Sequence, residues 1–73
     1  MEDELKIRER FGRRLRDLRK ARGMAQDKLA DVLELDRTYV SGIERGKRNV
    51  SLVNLALIAN RLDMSLSEMF ENL

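Results

Sequence analysis

A chain of 73 residues and 8.5 kDa with no cysteine and no histidine excludes disulfides, zinc fingers, Cys or His metal sites, thiol nucleophiles and every histidine-dependent triad. At 42% apolar and 38% charged it reads as one soluble helical domain, whose small core makes a partner subunit the expected source of added stability. The net charge of +2 is uneven, with +4 over residues 1–22, zero over 23–49 and −2 over 50–73. That pattern suits either a polyanion-facing side with a second side turned elsewhere or an ordinary solvated surface, and charge alone favours the latter.

From Glu4 to Arg22, Ile7, Phe11, Leu15 and Leu18 recur at helical spacing and give a first helix one apolar stripe. Its many basic residues are assigned mostly to solvent or to pairing. Gly23 ends it. A second helix covers Ala25 to Leu33, with Leu29, Val32 and Leu33 on one side, and Glu34-Leu35 is a short connection. Asp36 opens a third helix as its N-cap, to Arg45, and Gly46 ends it. Lys47, Arg48, Asn49 and Val50 form a loop. Ser51 caps a fourth helix, to Leu62, and Ser65 with Glu68 makes a capping box for a fifth, to Glu71. No stretch alternates with period two long enough for a strand, and no linker or repeat is visible. Residues 1–73 therefore read as a single all-α domain, an orthogonal bundle of five helices. No apolar run approaches the ~20 residues of a membrane span. The charged N-terminus has no signal-peptide core, so a cytoplasmic location is expected.

Residues 25–45, two short helices around a tight turn, have the layout of a helix-turn-helix. The second helix of such a unit enters the major groove with its leading side chains at base edges. Val40 and Ile43 share a face toward the core, so Arg37, Thr38, Ser41 and Gly42 are expected to point outward. A guanidinium bonds both acceptors of a guanine edge, which makes Arg37 the leading candidate for direct readout, and Thr38 suits a thymine methyl or a hydrogen bond. Tyr39, the only tyrosine, has two compatible readings: a hydroxyl on a phosphate, or a half-buried ring packed on the second helix. On the fourth helix, Leu52, Leu55, Ala56, Ile58, Ala59 and Leu62 form a face broad enough for the core. Val53 and Leu57, beside Asn54, are left over and mark a dimer interface within residues 50–73. The other reading has the fifth helix covering them.

The runs Gly23-Met24-Ala25-Gln26-Asp27-Lys28-Leu29-Ala30 and Tyr39-Val40-Ser41-Gly42-Ile43-Glu44-Arg45-Gly46 resemble the phage-repressor (Xre-type) helix-turn-helix domain. The segment from Leu35 through Arg37-Thr38-Tyr39 and Arg48-Asn49 to Leu52 is similar to the controller proteins of restriction–modification systems. The similarity spans essentially the whole chain. It implies a five-helix, sequence-specific regulator of transcription that binds a near-palindromic DNA operator as a homodimer. It implies autoregulation by both activation and repression, and neither cofactor nor metal nor enzymatic activity. Two reading helices about 34 Å apart would face the two half-sites.

The resemblance also implies roles. Arg37, Thr38 and Arg48 read bases; Gln26, Tyr39, Ser41, Lys47 and Asn49 contact the DNA backbone; Arg19 and Glu44 form a structural ion pair. Asp27, Asp31 and Glu34 form an acidic strip that either touches RNA polymerase or is a solvated helix face. Two positions depart from the family pattern. Gly42 stands where many phage repressors carry a reading side chain, which implies sparse readout by this helix. Ala25 stands where Ser or Thr usually caps the second helix, a loss of about 1 kcal/mol. The rival within the family is another small regulator, such as a phage repressor or an antitoxin. A rival of another class is a membrane-surface module built on the basic first helix, against which stand the absence of tryptophan and the core's need for its stripe. An enzyme would need paired acids beside a pocket, and none is evident.

Overall fold

In a computed structural model, residues 2–73 are described, Glu2 by its backbone alone. Among them are five helices and no strand: α1 (Glu2–Ala21), α2 (Gln26–Leu33), α3 (Arg37–Glu44), α4 (Leu52–Arg61) and α5 (Leu66–Met69). No helix is long and apolar enough to cross a membrane. α1 starts two residues before the expected Glu4, because Glu2, Asp3 and Glu4 are acids that suit the positive end of a helix dipole. α5 stops short of Glu71, with Phe70 as its C-cap.

The helix starts follow their capping chemistry. The Asp36 carboxylate accepts the Thr38 amide at 2.8 Å, and the Ser51 hydroxyl accepts the Asn54 amide at 3.1 Å. Ser65 and Glu68 exchange bonds of 3.0 and 2.9 Å in a complete capping box. Ala25 is the N-cap of α2 and accepts no amide through its side chain.

The core is built from Phe11, Leu15 and Leu18 of α1, Leu29, Ala30 and Leu33 of α2, Val40 and Ile43 of α3, Ile58 and Ala59 of α4, Leu62 and Met69. Phe70 closes it edge-on against Phe11, with ring centres 5.8 Å apart. Three residues expected in the core lie outside it: Ile7 is 45% exposed, Leu52 is 71% exposed, and Ala56 faces solvent in the middle of α4. Burial on α4 is confined to its later turns, where α2 and α5 pack, so its first turn carries an uncovered pair, Leu52 and Val53. Leu57, read as surplus, is half-buried.

Gly12 sets how closely α1 and α3 approach. A Cβ there would stand 2.5 Å from the Ile43 carbonyl oxygen and 2.7 Å from that of Glu44, both fixed backbone atoms. The basic residues of α1 then serve the other helices. Arg14 donates to the carbonyls of Glu68 and Met69 at the end of α5, at 2.7 and 2.9 Å. Arg16 donates to the Glu44 carbonyl at the end of α3 (3.3 Å), and Arg22 to the Leu62 carbonyl closing α4 (3.0 Å). Each guanidinium thus meets carbonyls at a helix end, the negative pole of its dipole, that of Glu68 being shared with the Glu71 amide.

Glu34 closes α2 in the left-handed region (φ 56°), unusual for a residue with a side chain. Its carboxylate bonds Arg61 of α4 at 3.0 Å. The hydrogen bond from Arg61, then its charge, hold the Glu34 carboxyl below its ordinary value. A lowered native pKa contributes stability that is fully present above the unfolded value and is lost as pH falls through the native one. Urea denaturation of Glu34→Gln across pH should therefore show it less stable than the native chain at neutral pH, with the difference vanishing in acid below both values.

Candidate nucleic-acid interface

α3 packs on both α1 and α2 through Val40 and Ile43, which are almost completely buried. That anchoring leaves Arg37 and Thr38 exposed and Ser41 half-exposed on the opposite side. Gln26, the first residue of α2, joins them. Gln26, Arg37, Thr38 and Ser41 line one shallow depression of about 180 Å³. Side chains from the start of α2 and the start of α3 are thereby brought to one surface.

Beneath that surface lies Glu44, whose side chain has no exposed area. Arg19 of α1 bonds it through two parallel contacts, Nε to Oε2 at 2.8 Å and Nη2 to Oε1 at 3.0 Å. Arg19 also donates to the Met24 carbonyl in the turn before α2, at 2.9 Å. Hydrogen bonding to Glu44 raises the Arg19 guanidinium above its ordinary value; burial opposes this, and the Glu44 charge adds to it. Gln26 Nε2 donates to Glu44 Oε1 at 3.1 Å, and Arg16 Nε lies 3.7 Å from the same oxygen. One carboxylate therefore connects α1, α2 and α3, and it holds Gln26 by its amide nitrogen.

A second group forms beside the depression. The Arg48 guanidinium lies 5.5 Å from the centre of the Tyr39 ring, a cation–π distance. The Arg48 stem crosses Gly42, which is buried beneath it rather than turned outward to solvent. The Tyr39 hydroxyl oxygen accepts a bond from Asn54 Nδ2 at 3.1 Å. That bond uses the oxygen as acceptor and leaves the phenolic proton available to an external acceptor. Asn54, assigned from sequence to a dimer interface, thus also ties α4 to α3. Lys47, Arg48 and Asn49 are exposed. Asn49 stands at the rim of a different feature, an apolar groove of about 460 Å³ lined by Ile7, Phe11, Val50, Leu55, Phe70 and Leu73. In the acidic strip Asp27 and Asp31 face solvent, and Glu34 is drawn to Arg61.

Sequence reasoning missed Arg16, Gly12 and the bond between Asn54 and Tyr39. Gly12 carried a readable signal, since a glycine inside a helix costs about 1 kcal/mol and calls for a packing reason.

The helix-turn-helix family pattern matches residues 15–69 of this chain. The chain belongs to the helix-turn-helix family. It is 50% identical to the control protein C.MunI of Mycoplasma sp over 68 residues, 92% of each chain. The restriction–modification controller protein C.AhdI from Aeromonas hydrophila has the same fold, with a TM-score of 0.83 and 51% identity, covering 89% of this chain and 98% of that one. The controller C.Esp1396I, solved as a tetramer in complex with its natural 35 base-pair operator, matches with a TM-score of 0.79 and 39% identity over 88% of this chain and 84% of that one. Within the helix-turn-helix family, the chain thus stands among the control proteins.

Removing the buried carboxylate strands the guanidinium that faces it. Glu44→Ala should lower stability by about 3–5 kcal/mol in chemical denaturation, well beyond the effect of an exposed substitution.

Proposed function

We propose that this protein is the controller of a restriction–modification operon: a homodimer that binds duplex DNA sequence-specifically and regulates transcription, with no catalytic step and no cofactor. The observation that carries this reading is the solvent-facing row of Gln26, Arg37, Thr38 and Ser41, presented by two helices whose relative pose is fixed by Glu44. The place of action is the cytoplasm, where the DNA is.

Arg37 and Thr38 read base edges in the major groove, and Arg48 adds a reading contact from the loop. Gln26, Tyr39, Ser41, Lys47 and Asn49 contact the sugar–phosphate backbone. Two features support the backbone roles. Gln26 has one amide proton directed to Glu44 and a second left for a phosphate oxygen. Ala25 gives α2 no side-chain cap, so the Gln26 and Asp27 amides are left for the same anion, whereas the Lys28 amide donates to the Asp27 carboxylate at 3.0 Å.

The dimer forms through α4 and the surface beside it. Val53, Asn54 and Leu57 belong to this interface, and the exposure of Leu52 (71%) and Val53 (75%) supports it. The apolar groove alongside gives a second copy further surface to cover. Two such dimers on one operator would correspond to the tetramer that C.Esp1396I forms on its own. Asp27 and Asp31 offer RNA polymerase an acidic contact beside the bound DNA, with Glu34 at the end of the strip.

Two substitutions separate reading from positioning. Arg37→Ala should lower the preference for the cognate operator by about 1–3 kcal/mol while non-specific binding persists. Gln26→Ala should weaken binding to all sequences alike. Both are measured by titrating operator and scrambled duplexes at one salt concentration. Loss of affinity without loss of preference in Arg37→Ala would remove it as a reader. Val53→Glu should give monomers in sedimentation and weak operator binding with the helical content intact.

A further inference from the structure

Gly42 occupies the interior of α3, in helical conformation, where glycine is the poorest residue after proline. It is not there for a left-handed turn, since the positive-φ glycines are Gly23 and Gly46. What distinguishes the position is its neighbour. A Cβ at Gly42 would stand 2.9 Å from Cγ of Arg48, 3.1 Å from its Nε and 3.5 Å from its Cδ. The Arg48 side chain therefore lies lengthwise over the bare backbone of α3, and its guanidinium continues to the Tyr39 ring. No protein hydrogen bond or ion pair among the described residues engages that guanidinium, so its donors are free for a ligand.

We propose that Gly42 is a specificity-determining position that acts through Arg48: the missing side chain lays the loop arginine along the reading helix, where it supplies the base contact that α3 lacks at residue 42. This deepens the DNA-binding reading above and rests on it. Arg48 is the group that touches DNA, and Gly42 is a positioning residue. A residue with a Cβ at 42 would displace a flexible side chain rather than fixed backbone, so the fold tolerates the change while the arginine loses its seat. The cation–π contact with Tyr39 is lost with it, because the stem no longer reaches the ring along the same path.

The test uses Gly42→Ala, Arg48→Ala and the double variant in the intact protein. Tyr39 is the ring within cation–π distance of Arg48, while Phe11 and Phe70 stack edge-on with each other, so ring-current shifts of the Arg48 side-chain protons that disappear in Tyr39→Leu report the contact without DNA. Gly42→Ala should return those protons toward free-arginine values with helical content and Tm maintained or raised; unchanged shifts overturn the proposal. Binding is then titrated on a duplex that the native protein selects from a random pool, against a scrambled duplex of equal composition. Gly42→Ala and Arg48→Ala should each reduce the preference roughly ten-fold. The double variant should be no worse than Arg48→Ala alone, because both remove one interaction. A full preference in Gly42→Ala, or losses that multiply in the double variant, overturns the proposal. If Arg48→Ala keeps the preference while Arg37→Ala loses it, Arg48 does not read bases, and this proposal falls while the DNA-binding reading stands. A native protein that selects no duplex overturns that reading and this one together.

Discussion

A carboxylate with no exposed surface sits where three helices meet, and the outward geometry of the helix-turn-helix depends on it. A buried charge is tolerable only when it is paired and hydrogen-bonded. Glu44 meets that requirement by drawing on both neighbours: Arg19 and, at longer range, Arg16 from α1, and Gln26 from α2. Apolar packing alone permits helices to slide or rotate by small amounts. A two-pronged guanidinium contact at 2.8 and 3.0 Å does not, because both bonds depend on direction as well as distance. Gly12 is the steric half of the same constraint, since any side chain there would hold α1 away from α3.

The surface that results has two parts with different mechanics. The depression formed by Gln26, Arg37, Thr38 and Ser41 rests on the bundle through Glu44 and the buried faces of α2 and α3. The group formed by Tyr39, Arg48 and Gly42 rests on the same α3 and is tied in addition to α4, through the bond from Asn54 to the Tyr39 hydroxyl. The helix carrying the proposed interface is therefore connected by one hydrogen bond to the helix carrying the proposed readers. A shift in how two copies sit together would reach Tyr39 through that link.

Much of the architecture was legible because it follows from local chemistry. Asp36, Ser51 and the Ser65–Glu68 box mark three helix starts, and Phe11, Leu15 and Leu18 mark the face of α1 that enters the core. The errors at Ile7 and Leu52 have a common cause: periodicity identifies an apolar face but not where a neighbouring helix stops covering it. Ile7 and Leu52 fit their stripes, yet each lies at an end that no other helix covers fully. The Arg19–Glu44 contact was reached only through family resemblance, because residues twenty-five apart in sequence carry no local sign of meeting. The seating of Arg48 on Gly42 was out of reach for a further reason. The sequence presents a missing side chain at 42, and only three-dimensional packing reveals what fills the space.

The arginines of α1 have a consequence for how the charge of this protein should be understood. Arg14, Arg16, Arg19 and Arg22 face carbonyl oxygens within the molecule, so they serve as internal fittings of the bundle. A polyelectrolyte releases its condensed counterions only to cations that reach its phosphates. The ionic-strength sensitivity of complex formation would thus report a few contacts at the helix-turn-helix and its loop, and a tally of positive residues along the chain would overstate it.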